Sequence, residues 1–260
     1  MPIVIFLVCL AASAVGAVVG AGGGVIIKPV IDAFGVFTAS ELSFLSGCTV
    51  LAMSVSSLIR SAGNGVKLDT RISTPVAIGA ASGGLLGKWM FGLVKTAVGN
   101  ETLVGGVQSI CLAVVTGLVL AYILLKARIP ALRMESIPVS ALAGLVLGVV
   151  SSFLGIGGGP LNVALLLILF SMDSKQAAKN SIYVILFSQT ANLLFSLSTR
   201  TIPDFQWPHL LLMVCGGVGG ALIGAYVSKR INTRGVDRLM ILLNVFVILL
   251  TIRNAWVAFR

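Results

Sequence analysis

The sequence is poor in what water solvates. Only 10% of its 260 residues are charged, where soluble domains average roughly 25%. It holds eight carboxylates and a single histidine, His209. No His-Glu-x-x-His and no Gly-x-Ser-x-Gly can be found, so neither a zinc hydrolase nor a serine hydrolase is written here. Nothing resembles a phosphate-cradling loop for ATP, and no cofactor is implied. The four cysteines, Cys9, Cys48, Cys111 and Cys215, lie in apolar runs without Cys-x-x-Cys spacing, which reads as small buried hydrophobes and excludes a zinc ribbon. Neither an aromatic-interleaved basic strip nor zinc-finger spacing accompanies the formal charge of +10, so no nucleic-acid partner is expected.

What fills the sequence instead is apolar. Hydrophobic residues make up 57%, and mean hydropathy is +1.08. The runs 2–20, 41–62, 72–95, 103–126, 137–155, 175–198, 207–229 and 236–258 carry few charges. At about 1.5 Å per residue each reaches across a hydrocarbon layer ~30 Å thick. Two further segments, 25–37 and 160–172, are short for a perpendicular span. The fold class that follows is an all-α polytopic membrane protein. The start of the chain has an apolar stretch and Ala12-Ser13-Ala14 but no basic n-region, and its pattern recurs in mid-chain; it reads as structure, not as a signal peptide.

That recurrence is an internal repeat. Shifted by 135 residues, Gly20-Ala-Gly-Gly-Gly24 falls on Gly155-Ile-Gly-Gly-Gly159, Ser46 on Ser181, Leu51 on Leu186 and Ser57 on Asn192. Gly83-Gly-Leu-Leu-Gly87 resembles Gly220-Ala-Leu-Ile-Gly224. The expected organisation is a first repeat at 1–128, a linker at 129–135 and a second repeat at 136–260.

Charge then bears on topology. A plain eight-pass bundle divides the eighteen Lys and Arg evenly between the two faces, although their bias normally sets orientation. If each Gly-rich stretch turns the chain back, each repeat makes an odd number of passes and the second is inverted. One face then collects Arg60, Lys67, Arg71, Lys126, Arg128, Arg133, Lys175, Lys179, Lys229, Arg230, Arg234 and Arg238. That is the expected cytoplasmic face, with both termini outside the cytoplasm and Trp89, Trp207 and Trp256 toward the outer interface. The fold expected is two inverted repeats, each a Gly-broken re-entrant helical hairpin followed by about three transmembrane helices.

Three glycines in a row break a membrane helix, since each costs about 1 kcal/mol relative to Ala. Broken backbone survives in lipid only where protein, water or a ligand satisfies it. Short helices starting near Val25 and Pro160 would present free amides and positive dipole ends near the midplane, a place for an anion. The candidate substrate-binding residues are Gly22, Gly23, Gly24, Val25, Gly157, Gly158 and Gly159. With them go Lys28, Ser54, Ser57, Gln189 and Asn192, polar groups on adjoining helices. The amides of Gln189 and Asn192 can donate to anionic oxygens. Lys28 has no repeat counterpart, since Val163 stands in its place; snorkelling or pairing with Asp32 are its plainer readings. Lys88 reads as snorkelling, and Gly83 and Gly87 as packing.

Gly-Ala-Gly-Gly-Gly and Gly-Ile-Gly-Gly-Gly-Pro-Leu-Asn, each followed by a short apolar segment and a Ser-bearing helix, resemble the sulfite exporter TauE/SafE family of permeases. Gly220–Ile231 resembles it too. The first half departs at Val25–Pro29, where Lys28 precedes the proline in place of apolar residues. The resemblance implies a plasma-membrane permease of bacterial type for sulfite, sulfonates, sulfoacetate or related anions. It also implies transport driven by an ion gradient, with a proton or sodium as coupling ion. An anion channel of the same fold and a carrier of non-sulfur organic anions stay open as alternatives. The expected partners are a small anion and the lipid bilayer; the sequence is compatible with a homodimer.

Overall fold

A computed structural model describes residues 2–62, 66–126, 128, 132–134 and 136–259. Among these there are ten helices and no strand. They are α1 (Pro2–Val19), α2 (Gly24–Asp32), α3 (Ala39–Ser61), α4 (Thr70–Val98) and α5 (Glu101–Leu125), then α6 (Ile137–Phe153), α7 (Gly159–Phe170), α8 (Ser174–Ser198), α9 (Trp207–Arg230) and α10 (Thr233–Ala258). All but α2, α6 and α7 are long and apolar enough to cross a membrane. The run at 137–155 was expected to give an eighth full span; its helix is 17 residues long because it ends at Phe153, before Gly155. The chain is therefore a multi-pass helical membrane protein.

Polar side chains at the helix starts explain several boundaries. Asp69, Asn100, Asp173 and Asn232 each accept hydrogen bonds from first-turn amides, and Thr38 does so for α3. Gly99, at φ +65°, closes α4 with a bond from its amide to the Lys95 carbonyl.

Glycine stripes set the closest packing. Gly79, Gly83 and Gly87 of α4 press on the backbones of Ala141, Leu145 and Val149 of α6, where any side chain would overlap a carbonyl. Gly216, Gly220 and Gly224 of α9 meet Phe6, Leu10 and Ala14 of α1 in the same manner. Each series advances in step, so α4 runs parallel to α6, and α9 to α1. This is the small-residue approach that membrane helices use without a hydrophobic driving force between them. The remaining main packings pair α5 with α10, α3 with α9, α4 with α8, and α3 with α8.

Of the expected linker, only 132–134 falls within the described residues; it runs along the end of α7, where Leu132 and Met134 amides donate to the carbonyls of Ile168 and Leu169 at 2.9 and 2.7 Å.

Candidate functional site

Both Gly-rich stretches interrupt helices where the sequence suggested. Backbone conformation repeats with the 135-residue shift: Gly20 and Gly155 have φ of +75° and +66°, and Gly22 and Gly157 have +66° and +74°. Side-chain-bearing residues rarely adopt these values, which explains the glycines at these positions. The pattern ends at the third pair, since Gly23 is right-handed at φ −64° and Gly158 lies at +109°. The two breaks touch. A β-carbon at Gly24 would lie 2.7 Å from the Ile156 carbonyl oxygen, and one at Gly159 would overlap Val25.

Above this junction is a cavity of about 780 Å³. Gly24 of the first break and Gly155, Ile156 and Gly157 of the second form part of its wall. Ser40, Ser43 and Ser46 of α3, Lys88 and Lys95 of α4, Gln108 of α5, Ser152 of α6, and Gln189 and Asn192 of α8 supply its polar groups. Phe44, Trp89, Phe91 and Phe195 supply aromatic walls. Among the described residues no Asp or Glu lines it.

Several of these groups are held in place. The Asn192 amide and Ser152 hydroxyl are 2.8 Å apart; Lys88 Nζ donates to the Asn192 carbonyl oxygen at 3.3 Å and to Ser196 Oγ; Lys95 Nζ donates to Ser40 Oγ at 2.8 Å. Gln189 differs. Its side chain is 6% exposed and faces the cavity, yet among the described residues it has no hydrogen-bond partner. The backbone amides of Gly24 and Gly157 also lack an acceptor there. Buried amides without partners cost about 1–3 kcal/mol each, so this corner suits an occupant that accepts hydrogen bonds.

Of the expected site residues, the structure thus brings Gly24, Gly157, Gln189 and Asn192 to one wall. Gly22, Gly23, Val25, Gly158 and Gly159 stand behind it. The Gly23 amide donates to Met53 Sδ at 3.3 Å; Gly22 packs beside Ile185 and Val50; Gly158 sits against Asn162. Ser54 and Ser57 are buried away from the cavity, and Ser54 Oγ donates to its own helix at Val50 O, 2.8 Å away. Lys28 Nζ donates to Gln108 Oε1 and to the Leu154 carbonyl oxygen, both at 2.8 Å; among the described residues it forms no ion pair with Asp32. Sequence reasoning took Lys88 as a snorkelling side chain and did not single out Lys95 or Ser152. The available signal was the 88-92-95 spacing of Lys88, Gly92 and Lys95, which places them on one face of α4.

At the opposite end of the bundle the first turns of α8 are pinned. Ser174 Oγ donates to Asp237 Oδ1, which also holds Lys126 in an ion pair at 2.5 Å. Lys179 Nζ donates to the carbonyl oxygens of Ser61 and Val66 at 3.1 and 2.7 Å. Asn180 Oδ1 accepts from Ser73 Oγ at 2.6 Å and the Asp69 amide at 2.9 Å.

A multi-pass helical bundle with a lysine-bearing cavity over two touching helix breaks has the general features of membrane transport proteins. The sulfite exporter TauE/SafE family model matches residues 5–251, and the chain belongs to that family of membrane transporters. It is 28% identical over 95 residues to the probable membrane transporter protein YunE of Bacillus subtilis (strain 168). The match covers 36% of this chain and about a third (34%) of that protein's length. No solved structure matches the chain.

Proposed function

We propose that the protein is a secondary transporter that moves a small sulfur-containing anion, such as sulfite, a sulfonate or sulfoacetate, across a bacterial-type plasma membrane. The anion binds in the cavity corner formed by the two helix breaks, Gln189, Asn192 and Lys88. The single observation that carries this reading is the unpaired Gln189 amide, near Lys88, in a cavity that no Asp or Glu lines among the described residues. Free amides and half-helix N-termini then replace part of the anion's hydration shell.

The chain works as two inverted repeats, each opening with a re-entrant hairpin, and both termini lie outside the cytoplasm. Several packings support this. α4 and α8 run in the same direction, since Ser73 meets Asn180 and, further along, Lys88 meets Asn192. α6 follows α4. α3 opposes α8, with Ser61 at Lys179 and Gly47 at Gln189, while α9 follows α3, with Phe205 at Phe44 and Gly217 at Thr49, and α1 follows α9. Helices α1 and α6, each opening its half, therefore point oppositely. The pinned end of the bundle also carries Arg60, Arg71, Lys126, Lys175 and Lys179, as a cytoplasmic face should. Hydrogen bonds and an ion pair tie α8 to its neighbours at that end, the kind of closure an alternating carrier needs on one side.

The test is uptake by purified protein in liposomes under imposed proton or sodium gradients, with sulfite, thiosulfate, sulfoacetate and a carboxylate as solutes. Saturable uptake of a sulfur oxyanion is expected. Gln189→Leu should cut it roughly ten- to a hundredfold, the worth of a hydrogen bond to a charged group. Non-saturating conductance would indicate a channel, and no uptake of any anion would sink the reading.

A further inference from the structure

We infer that Lys28 is a positioning and charge-setting residue for the anion site: its ammonium cancels the negative carbonyl end of broken helix α6 beneath the cavity wall. The inference rests on the anion-transport reading and goes beyond it to a side chain that does not line the cavity.

The argument starts from what breaking α6 does. A helix C-terminus leaves its last carbonyls unpaired and carries the equivalent of roughly half a negative charge. Helix α6 stops at Phe153, and Gly155, Ile156 and Gly157 immediately line the cavity. The interruption that frees the amides thus also delivers a negative pole to the same place. An anion there would meet attraction and repulsion together, unless the carbonyls were occupied.

They are occupied by two side chains from elsewhere in the chain. Gln108 Nε2 donates to the Phe153 carbonyl oxygen at 2.6 Å, and Lys28 Nζ donates to the Leu154 carbonyl oxygen at 2.8 Å. Lys28 also donates to Gln108 Oε1 at 2.8 Å, so the two act as one cap. A β-carbon at Gly155 would lie 2.6 Å from Nζ, which makes glycine the residue that lets the ammonium press against the break. Lys28 is 7% exposed and, among the described residues, its partners are all neutral oxygens. A buried cation is costly in a membrane unless it is well solvated by the protein, and here the ammonium's direct hydrogen bonds go to the break's carbonyl and to the Gln108 amide oxygen. Asp32, one turn further along α2, interacts with the ammonium through space without an ion-pair contact and meets Asn254 Nδ2 at 3.4 Å. Val163 stands at the repeat-equivalent position, and at the first break the Gly20 carbonyl accepts from the Ser181 hydroxyl at 2.6 Å. A neutral hydroxyl meets the break's carbonyl there, whereas an ammonium does so beneath the cavity.

The test uses the full chain in liposomes and, separately, thermal denaturation of the purified protein with sulfite, thiosulfate or sulfoacetate added. Lys28→Met should raise KM at least tenfold while Vmax changes less than about threefold, and should remove most of the anion-induced rise in Tm. Lys28→Arg should retain a KM near the parent's. Adding Gln108→Lys to Lys28→Met returns an ammonium to the same carbonyls and should recover at least half of the lost affinity. A Lys28→Met KM within about threefold of the parent overturns the inference while leaving transport standing. So does a loss confined to Vmax with a fallen ligand-free Tm, which marks a packing role, or a double variant that keeps the parent Tm without regaining affinity. If the unsubstituted protein neither transports nor is stabilised by any of these anions, the transport reading itself fails, and the inference with it.

Discussion

Gly157→Ala tests the geometry of the cavity corner most directly. At φ +74° the new side chain strains the backbone, by about 1–2 kcal/mol for an L-residue in the left-handed region. Its β-carbon would also overlap Gln189 Nε2, forcing that amide away at roughly 1–2 kcal/mol, within the range for overpacking. The total expected loss is about 2–4 kcal/mol, and it falls on the two groups assigned to the anion. Stability is read by reversible denaturation in mixed micelles and transport by liposome uptake. The prediction separates the two costs. Gly157→Ala with Gln189→Ala relieves the collision but not the strain, so the pair should show a stabilising coupling of about 1–2 kcal/mol. Transport should remain at least tenfold down in both variants, because the double variant has lost the amide outright. Gly92→Ala is the control. Gly92 lines the same cavity, is helical, and has nothing within 4 Å of a built β-carbon, so alanine should be neutral or stabilising by up to about 1 kcal/mol with transport intact. Strictly additive losses from the Gly157 and Gln189 changes, or parental transport by Gly157→Ala, would refute the placement of Gln189 against this glycine.

Two more predictions address the charge and the closed end. Lys88→Gln removes one of two cavity ammoniums while keeping a donor for Ser196, so the anion KM should rise about tenfold and insertion into the membrane should be unchanged; an unaltered KM would reduce Lys88 to a helix tie. Ser73→Cys with Asn180→Cys, in a background where Cys9, Cys48, Cys111 and Cys215 are Ala, places thiols where a 2.6 Å hydrogen bond now joins α4 to α8. Oxidation should block transport and reduction restore it, and full activity of the cross-linked protein would show that α4 and α8 need not part here during transport.

Much of the fold was legible because lipid imposes a simple rule: backbone must pair within the segment, so apolar runs of span length become helices. The breaks were legible for the complementary reason, that three glycines cannot be accidental cost twice at one phase. The neighbours of each helix face were not. Ser54 and Ser57 occupy the repeat positions of Gln189 and Asn192, and periodicity puts all four on comparable faces, but only the second pair meets a cavity. Lys88 illustrates the same gap. A lone lysine in an apolar run reads equally as a snorkelling tail or a cavity charge, and what decides is α8, a hundred residues away, whose Asn192 carbonyl and Ser196 hydroxyl receive it. Lys28 was singled out by its depth, yet its partners on α5 and at the end of α6 are separated from it by 80 and 126 residues, a distance no spacing rule covers.

The asymmetry between the halves is where fold and function meet. The two breaks share the conformation of their first two glycines, Gly20 with Gly155 and Gly22 with Gly157, so the backbone turns alike at both. The side chains around them are not similar. The second break lines the cavity with Gly155, Ile156 and Gly157, the first with Gly24 alone; the Gly20 end of the first is covered, its carbonyl tied to Ser181 and its Cα against the backbone of Ala178. Ser181 and Ala178 belong to the same opening turns of α8 that Lys179 and Asn180 fasten to α3 and α4. Exposing the first break would therefore require those fastenings to release together, since they hold one rigid helix end. The equivalent turns of α3, at Ser40, Ser43 and Ser46, already stand open on the cavity. One helix start lines the cavity and its counterpart 135 residues on is fastened to α3 and α4, the asymmetry that the proposed transport reading expects of a carrier open to a single side.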